Sequence, residues 1–156
     1  MAAPVNPRIL EVFAELEHMW QSRDFAAMRS HWLSDLPTPL YLAEEKATFF
    51  TTWPEVESYF ADVKAHSKAG LVKYKPLHAT PMGPGQEMVA FTLEWNVHLT
   101  GEAVPIGGSV RGVALFAEEK GAWKLRAYIE APLAPIVYMR ELYKLVPETR
   151  GFKAAP

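Results

Sequence analysis

Proton chemistry in this chain falls to a small set of side chains, and Tyr41, Glu45 and His78 stand out among them. A phenol such as Tyr41 can polarise a substrate oxygen or hold a water. Glu45 has Glu44 beside it, and a carboxylate in an apolar mouth has a raised pKa and exchanges protons near neutrality. His78 lies near the end of an extended stretch, and imidazole titrates near neutral pH. Each also has a plain structural reading: Tyr41 as a core tyrosine with its hydroxyl at a rim, Glu45 as a solvated loop acid, His78 as a strand-end residue beside Lys75. His31 ends a short helix and faces solvent, while His18 and His66 read as helix-surface residues. Glu94, His98, Arg111 and Glu130 also titrate, but strand alternation puts them on the outer face of a sheet, where opposite charges across strands are ordinary.

Several other chemistries drop out. The chain has no cysteine, which removes disulfides, thiolate catalysis and cysteine-based metal sites. No His-x-His, His-Glu-x-x-His or carboxylate cluster has ligand spacing, and Gly107-Gly108 is followed by neither Lys-Ser/Thr nor a helix. The expectation is therefore no metal and no organic cofactor. The formal charge is -2 with both signs well mixed, which argues against nucleic acid as a partner. No apolar run approaches the ~20 residues of a membrane span. Met1–Arg8 lacks a charged region followed by an apolar run, so the expected location is the cytoplasm.

The elements that must position these residues follow from pattern. The 156 residues fit one domain, with a core over about 6–146 and a tail over 147–156. Asn6-Pro7 starts a helix through Ile9, Val12, Phe13, Leu16, Met19 and Trp20. Asp24 opens a second, short helix through Phe25, Met28 and Trp32, and Leu40 to Ala43 is a short extended piece. Thr52-Trp53-Pro54-Glu55 is a capping box that starts a helix ending near Gly70. The period then changes to two. Strands are predicted over Leu71–Ala79, Met88–Thr100, Ser109–Ala117 and Trp123–Ala131, with turns at Pro81–Gly85 and Glu118–Gly121. A last helix is predicted over Ile136–Leu145. Val89, Phe91, Leu93 and Trp95 share one face, as do Trp123, Leu125, Ala127 and Ile129. Glu94, Asn96, His98 and Arg126, Tyr128, Glu130 take the opposite face. Helices followed by antiparallel strands make the fold α+β.

Three stretches carry a family resemblance. The first is the opening helix, Asp24, the second helix ending His31-Trp32, and Tyr41-Leu42-Ala43-Glu44-Glu45. The second is Thr52-Trp53-Pro54-Glu55-Val56. The third runs from Gly112 to Glu130 as strand, turn and strand. Together they resemble the nuclear-transport-factor-2-like superfamily, in its SnoaL-like, steroid-delta-isomerase-like and limonene-epoxide-hydrolase-like branches. The resemblance implies a strongly curved antiparallel sheet wrapped around a long helix, leaving a conical cavity. It places Tyr41 at a water-holding tyrosine position of the hydrolases. It places Ala43, or Glu45 after a slip of two residues, at the carboxylate base of the isomerases. Leu16 and Gly112 stand where isomerases keep a Tyr and a protonated Asp, and Trp32 at a pocket-lining aromatic position. Leu93, Trp95 and Ala127 stand where hydrolases keep Arg, Asp and Asp. Neither mechanism is therefore complete in this chain. A relative, scytalone dehydratase, uses Tyr and His together without a cofactor, which makes Tyr41 with His78 an analogue.

On this reading the cone is lined by Leu16, Trp32, Phe60, Phe91, Leu93, Trp95, Val110, Gly112, Ala127 and Ile129. Such an apolar, aromatic lining suits a hydrophobic, aromatic small molecule. The expected activity is a cofactor-independent lyase, dehydratase or isomerase, with Tyr41 on an oxygen and Glu45 or His78 as the base. Two alternatives stand beside it: a non-catalytic binder of an apolar ligand, and an interaction subunit. A homo-oligomer, a dimer first, is expected through the outer face around Glu94, Asn96, His98, Arg111 and Arg126, as the resemblance implies.

Overall fold

The structure, a computed structural model, describes residues 4–133. The helix expected over Ile136–Leu145 and the tail lie outside the described residues. Asn6 accepts the Arg8 N–H at 3.0 Å and Pro7 sits in the first turn, so the first helix starts where its orphan donors are satisfied. Helix α1 spans Pro7–Ser22 and buries Ile9, Val12, Phe13, Leu16 and Met19, the stripe that the spacing predicts. Phe25–His31 forms a 3-10 helix rather than an α-helix, and Asp24 makes no side-chain cap bond to it. Strand β1 is short, Leu40–Leu42.

Helix α2 spans Trp53–His66 behind the predicted capping box, where the Glu55 carboxylate accepts the Thr52 N–H at 2.9 Å. It ends at His66, earlier than expected, because other groups take its last carbonyls. Ser67 Oγ donates to Val63 O at 2.6 Å, and the Thr100 N–H donates to His66 O at 2.8 Å. Arg23 reaches across from the end of α1 and donates to the Lys64 and Ser67 carbonyls. Strand β2 therefore begins at Ser67, and Gly70 lies inside it, where a Cβ would meet the Trp20 ring at 3.2 Å.

Strands β2 (Ser67–Gly83), β3 (Gln86–Leu99), β4 (Ile106–Glu119) and β5 (Ala122–Pro132) are each longer than predicted. They form a curved five-stranded sheet in the order β1-β5-β4-β3-β2, antiparallel except for β1 on β5. The β4–β5 hairpin turns on Lys120 (φ 52°) and Gly121 (φ 82°), the two positive φ values that a tight hairpin of this twist requires. Helix α1 lies on the concave face, where Phe13 meets Tyr74, Phe91 and Phe116 at ring distances of 4.9–5.6 Å. The free edge of β2 is partly covered: Glu17 of α1 accepts the Tyr74 N–H at 2.8 Å and pairs with Lys73 at 2.7 Å, which blunts an edge open to pairing. Among the described residues no helix is long and apolar enough to cross a membrane.

Two bulges change which residues face inward. In β2, Pro76 pairs with inward Phe91, but His78 pairs with Ala90 and Ala79 with buried Val89. Leu77 is the extra residue, so His78, expected inside, stands on the outer face. In β5, Leu125 pairs with Phe116 and Ala127 with Leu115. The extra residue is Arg126. Beyond it Tyr128 and Glu130 pair with inward Ala114 and Gly112, while Ala127 and Ile129 pair with outward Leu115 and Val113. The expected orientation of this half-strand is therefore reversed: Ala127 and Ile129 face out, and Tyr128 and Glu130 face in.

Gly112 makes room on the inner face. A Cβ there would clash with the Phe91 ring and stand 2.6 Å from the Ile129 carbonyl oxygen, and neither the backbone nor a ring buried among Phe13, Tyr74 and Tyr128 can yield easily. Gly112→Ala is expected to destabilise the fold by ~1–3 kcal/mol or more, the usual cost of overpacking. Urea unfolding checks this, and an unchanged midpoint would show that the contact is loose.

Candidate active site

Between the open end of the sheet and the last turns of α2 lies a cavity of about 320 Å³. Leu93, Trp95, Val97 and Leu99 of β3, Val72 of β2 and Ile106 of β4 form its sheet wall. Trp20, Tyr59, Val63 and His66 face them from the helices, and Tyr41, Glu44, Glu45 and Glu130 close the remaining side. Most of this surface is apolar or aromatic, so the few polar groups carry its chemistry.

Local structure fixes each of them. Tyr41 sits in β1, beside Tyr128 of β5, with the two rings stacked at 5.4 Å. On its other side Tyr41 exchanges two backbone hydrogen bonds with Phe50, at 3.1 and 2.8 Å. The chain between them turns sharply, with the Lys46 N–H donating to Ala43 O at 3.0 Å. Glu44 and Glu45 are the two central residues of that turn, and so are held at the cavity side. Glu44 is fixed further: the Trp95 indole N–H donates to its Oε1 at 2.5 Å.

Glu130 is the hub. The Tyr128 hydroxyl donates to its Oε1 at 2.5 Å, and the Glu44 N–H donates to its Oε2 at 3.2 Å. The Tyr74 and Tyr128 hydroxyls lie 2.9 Å apart, which extends the chain of hydrogen bonds into the core. Burial pushes the Glu130 carboxyl up to about 7, and the neighbouring Glu45 and Glu44 carboxylates add to this; the bonds from Tyr128 and Glu44 oppose it. Burial also raises Glu44, with Trp95 opposing and Glu45 adding. The hydroxyls of Tyr41, Tyr59, Tyr74 and Tyr128 are all raised, burial being the main cause. These phenols therefore stay protonated and serve as donors, while Glu130 can give or take a proton near neutrality.

Of the residues singled out in the sequence, Tyr41 and Glu45 line this cavity, as do Leu93 and Trp95. His78 does not, for the reason given by the Leu77 bulge. Leu16 and Phe60 border a much smaller void beneath it. Phe91 and Val110 are packed solid in the core, with Gly112 against the Phe91 ring. Trp32, 1 % exposed, packs edge-on against Trp53 at 5.5 Å, away from the cavity. Ala127 and Ile129 lie on the outer side. The sequence reading placed Glu130 and Tyr128 on the outer face, which the bulge at Arg126 reverses, and gave no role to Tyr74 and Tyr59. Tyr74 carried a usable signal, since Lys73 and Lys75 flank it and must point outward. Among the described residues no group of three or more His, Asp or Glu is placed to hold a metal ion.

A carboxyl raised on folding has a signature in stability. Glu130 moves from about 4.5 unfolded to about 7 folded, so the folded state binds the extra proton in between. Its contribution is fully present below pH 4.5 and is lost as pH rises through 7, by on the order of 3 kcal/mol at most. Urea midpoints measured from pH 5 to 8 should fall more steeply for the parent than for Glu130→Gln. Equal slopes would mean that Glu130 ionises as an ordinary surface acid.

The comparisons agree with this architecture. A family model described as a SnoaL-like domain matches residues 9–133. No curated protein sequence matches the chain. Among solved structures, a provisionally named dehydratase of the NTF2-like family from Streptomyces avermitilis is 15% identical, with a TM-score of 0.71 over 82% of this chain and 96% of its own. A provisionally named scytalone dehydratase from Novosphingobium aromaticivorans is 6% identical, with a TM-score of 0.72 over 81% of this chain and 83% of its own. A provisionally named calcium/calmodulin-dependent protein kinase II association domain from Xanthomonas campestris is 9% identical, with a TM-score of 0.67 over 85% and 95%. At these identities the likeness is one of fold, the curved-sheet cone of the NTF2-like superfamily. The match of the family model over most of the chain makes this protein a member of the SnoaL-like family.

Proposed function

We propose that the chain is an acid/base enzyme of the lyase, dehydratase or isomerase type. It would act on a hydrophobic, aromatic small molecule without a cofactor. The observation that carries this reading is Glu130, a carboxyl titrating near 7 in the wall of an aromatic cavity. A catalytic base works best with its pKa near the working pH. A carboxylate offers about four lone-pair sites. Tyr128 and Glu44 use two, which leaves the others for a substrate proton.

In this scheme Glu130 takes a proton from carbon next to a substrate carbonyl. The electron pair moves toward the carbonyl oxygen, which accepts a hydrogen bond from Tyr41 or Tyr59. Returning the proton to another carbon completes an isomerisation. In an elimination the pair instead expels a β-hydroxyl, which takes the proton and leaves as water. Tyr128 and Trp95 are positioning residues: one holds Glu130 and the other holds Glu44. A volume of about 320 Å³ lies at the lower end of the ~300–1,000 Å³ of ligand pockets, which suits one or two fused rings. Two of the structures similar in fold carry dehydratase names, in keeping with this class of reaction. Glu130 replaces His78 and Glu45 as the base, while Tyr41 keeps its proposed role on oxygen.

Two probes test the proposal without knowledge of the natural substrate: α-proton exchange of β-tetralone in D2O by NMR, and dehydration of a β-hydroxytetralone by ultraviolet absorbance. The parent should accelerate one or both, with a rate that rises with pH through about 7 as Glu130 ionises. Glu130→Gln should slow it by ~10²–10⁴-fold, and Tyr41→Phe by ~10²–10³-fold. Binding of both compounds with no acceleration over buffer would make the cone a binding module instead.

An association domain shares the fold, and we propose that copies of this chain pair through the outer sheet face. Glu94, Asn96, Arg111 and Arg126 are exposed there, and His98 is partly so. Sedimentation at micromolar concentration should give twice the monomer mass, and a monomer would reject the pairing.

A further inference from the structure

We infer that the cavity is built for a hydrophobic cation, an amine or quaternary ammonium carried on one or two rings. The inference rests on the reading of this cavity as a ligand site, and it narrows the class of ligand. Three carboxylates line it, Glu130, Glu44 and Glu45. Among the described residues no lysine or arginine lines it, and His66 stands at its rim. The groups that face Glu130 are Tyr128 from β5, Tyr74 from β2, Tyr41 from β1, Tyr59 from α2, and Glu44 and Glu45 from the turn. None of them supplies positive charge. An anionic ligand would meet three carboxylates, with hydroxyl donors and the exposed His66 imidazole as the groups to receive it, and a bare hydrocarbon would leave the acids without a counter-charge in a drier site.

The remaining walls favour the same ligand. Trp20, Tyr41, Tyr59 and Trp95 present aromatic rings to one small space. The faces of such rings attract cations, most strongly where water is excluded. Tyr59 already attracts one from outside: Lys46 Nζ lies 5.1 Å from its ring centroid, although Lys46 is not part of the cavity lining. A ligand cation placed among these rings also lies beside Glu130, and its charge favours the ionised form there.

The test uses trimethylphenylammonium and tert-butylbenzene, which share a shape and differ in N⁺ for C at the branch, with benzoate as the anion. Binding is followed by tryptophan fluorescence, since Trp20 and Trp95 line the site. At pH 8.5 the cation should bind about tenfold or more tighter than the hydrocarbon, and benzoate should bind weakest. The ammonium does not titrate, so any change with pH belongs to the protein. Its advantage over the hydrocarbon should shrink several-fold at pH 5, and Glu130→Gln should remove most of it at pH 8.5. If that variant does not fold, the pH comparison on the parent decides. A hydrocarbon that binds as tightly as the cation, or an advantage unchanged between pH 8.5 and 5, overturns the inference while the cavity reading stands. Binding of none of the three compounds overturns the cavity reading itself, and the inference with it.

Discussion

Arg126 stands between two residues of β5 that pair with consecutive residues of β4, Leu125 with Phe116 and Ala127 with Leu115. That one extra residue decides what the inner face of the sheet contains. In an unbulged strand alternate residues share a face, so Leu125, Ala127 and Ile129 would line the cone, and Tyr128 and Glu130 would meet water. With the bulge, Tyr128 and Glu130 turn inward and Ala127 and Ile129 turn out. The hydrogen-bonded row around Glu130 follows. Tyr128 can stack on Tyr41 and reach Glu130 only from inside, and only there does Glu130 meet the Glu44 N–H. The bulge residue itself is an exposed arginine, a side chain that accepts the outward position without cost.

Placing a carboxyl in this wall is unfavourable for its charged form, and the neighbours show how the cost is limited. Tyr128 and the Glu44 backbone each supply a donor, and hydrogen bonds to a charged acceptor are worth more than neutral ones. They do not fully offset burial, because Glu130 stays raised to about 7. That residual imbalance is the useful part. A fully compensated carboxylate would hold no proton at neutral pH, and an uncompensated one would never release it. The surrounding phenols are raised out of reach of ionisation, so proton transfer in the cavity concentrates on the acids.

The fold was legible because it is written in periodicity and in start and stop residues. The stripe from Ile9 to Met19, the Thr52–Glu55 box and the alternation from Val89 to Trp95 each describe a local regularity, and each appears in place. What was not legible lies where regularity breaks. Leu77 and Arg126 have no composition that marks them as bulges, yet each reverses the face of the residues after it. His78 left the cavity by one bulge, and Glu130 entered it by the other. Tyr41 was legible because β1 is too short to slip: three residues held by β5 on one side and Phe50 on the other. Glu44 and Glu45 were half legible. The sequence put two acids beside the mouth, but the indole N–H of Trp95, more than forty positions away, fixes one of them.

That indole links the two halves of the site. Trp95 is wall and donor at once: its ring closes the cavity beside Leu93 and Val97, and its N–H holds the carboxylate of Glu44. The backbone of Glu44 in turn holds Glu130. The row therefore runs from β3 through the turn after β1 to β5, and so ties β3 to two strands, β1 and β5, that it does not pair with in the sheet. A ligand that pushes on the Trp95 ring pushes on the Glu44 side chain, whose own backbone N–H is the donor to Glu130 Oε2. Weakening that donor would raise the affinity of Glu130 for its proton, since hydrogen bonds to the charged form are what hold it down. The basicity of the site is thus set by how the aromatic wall is packed as well as by the acids themselves, and a well-seated ring is the condition under which the base is tuned.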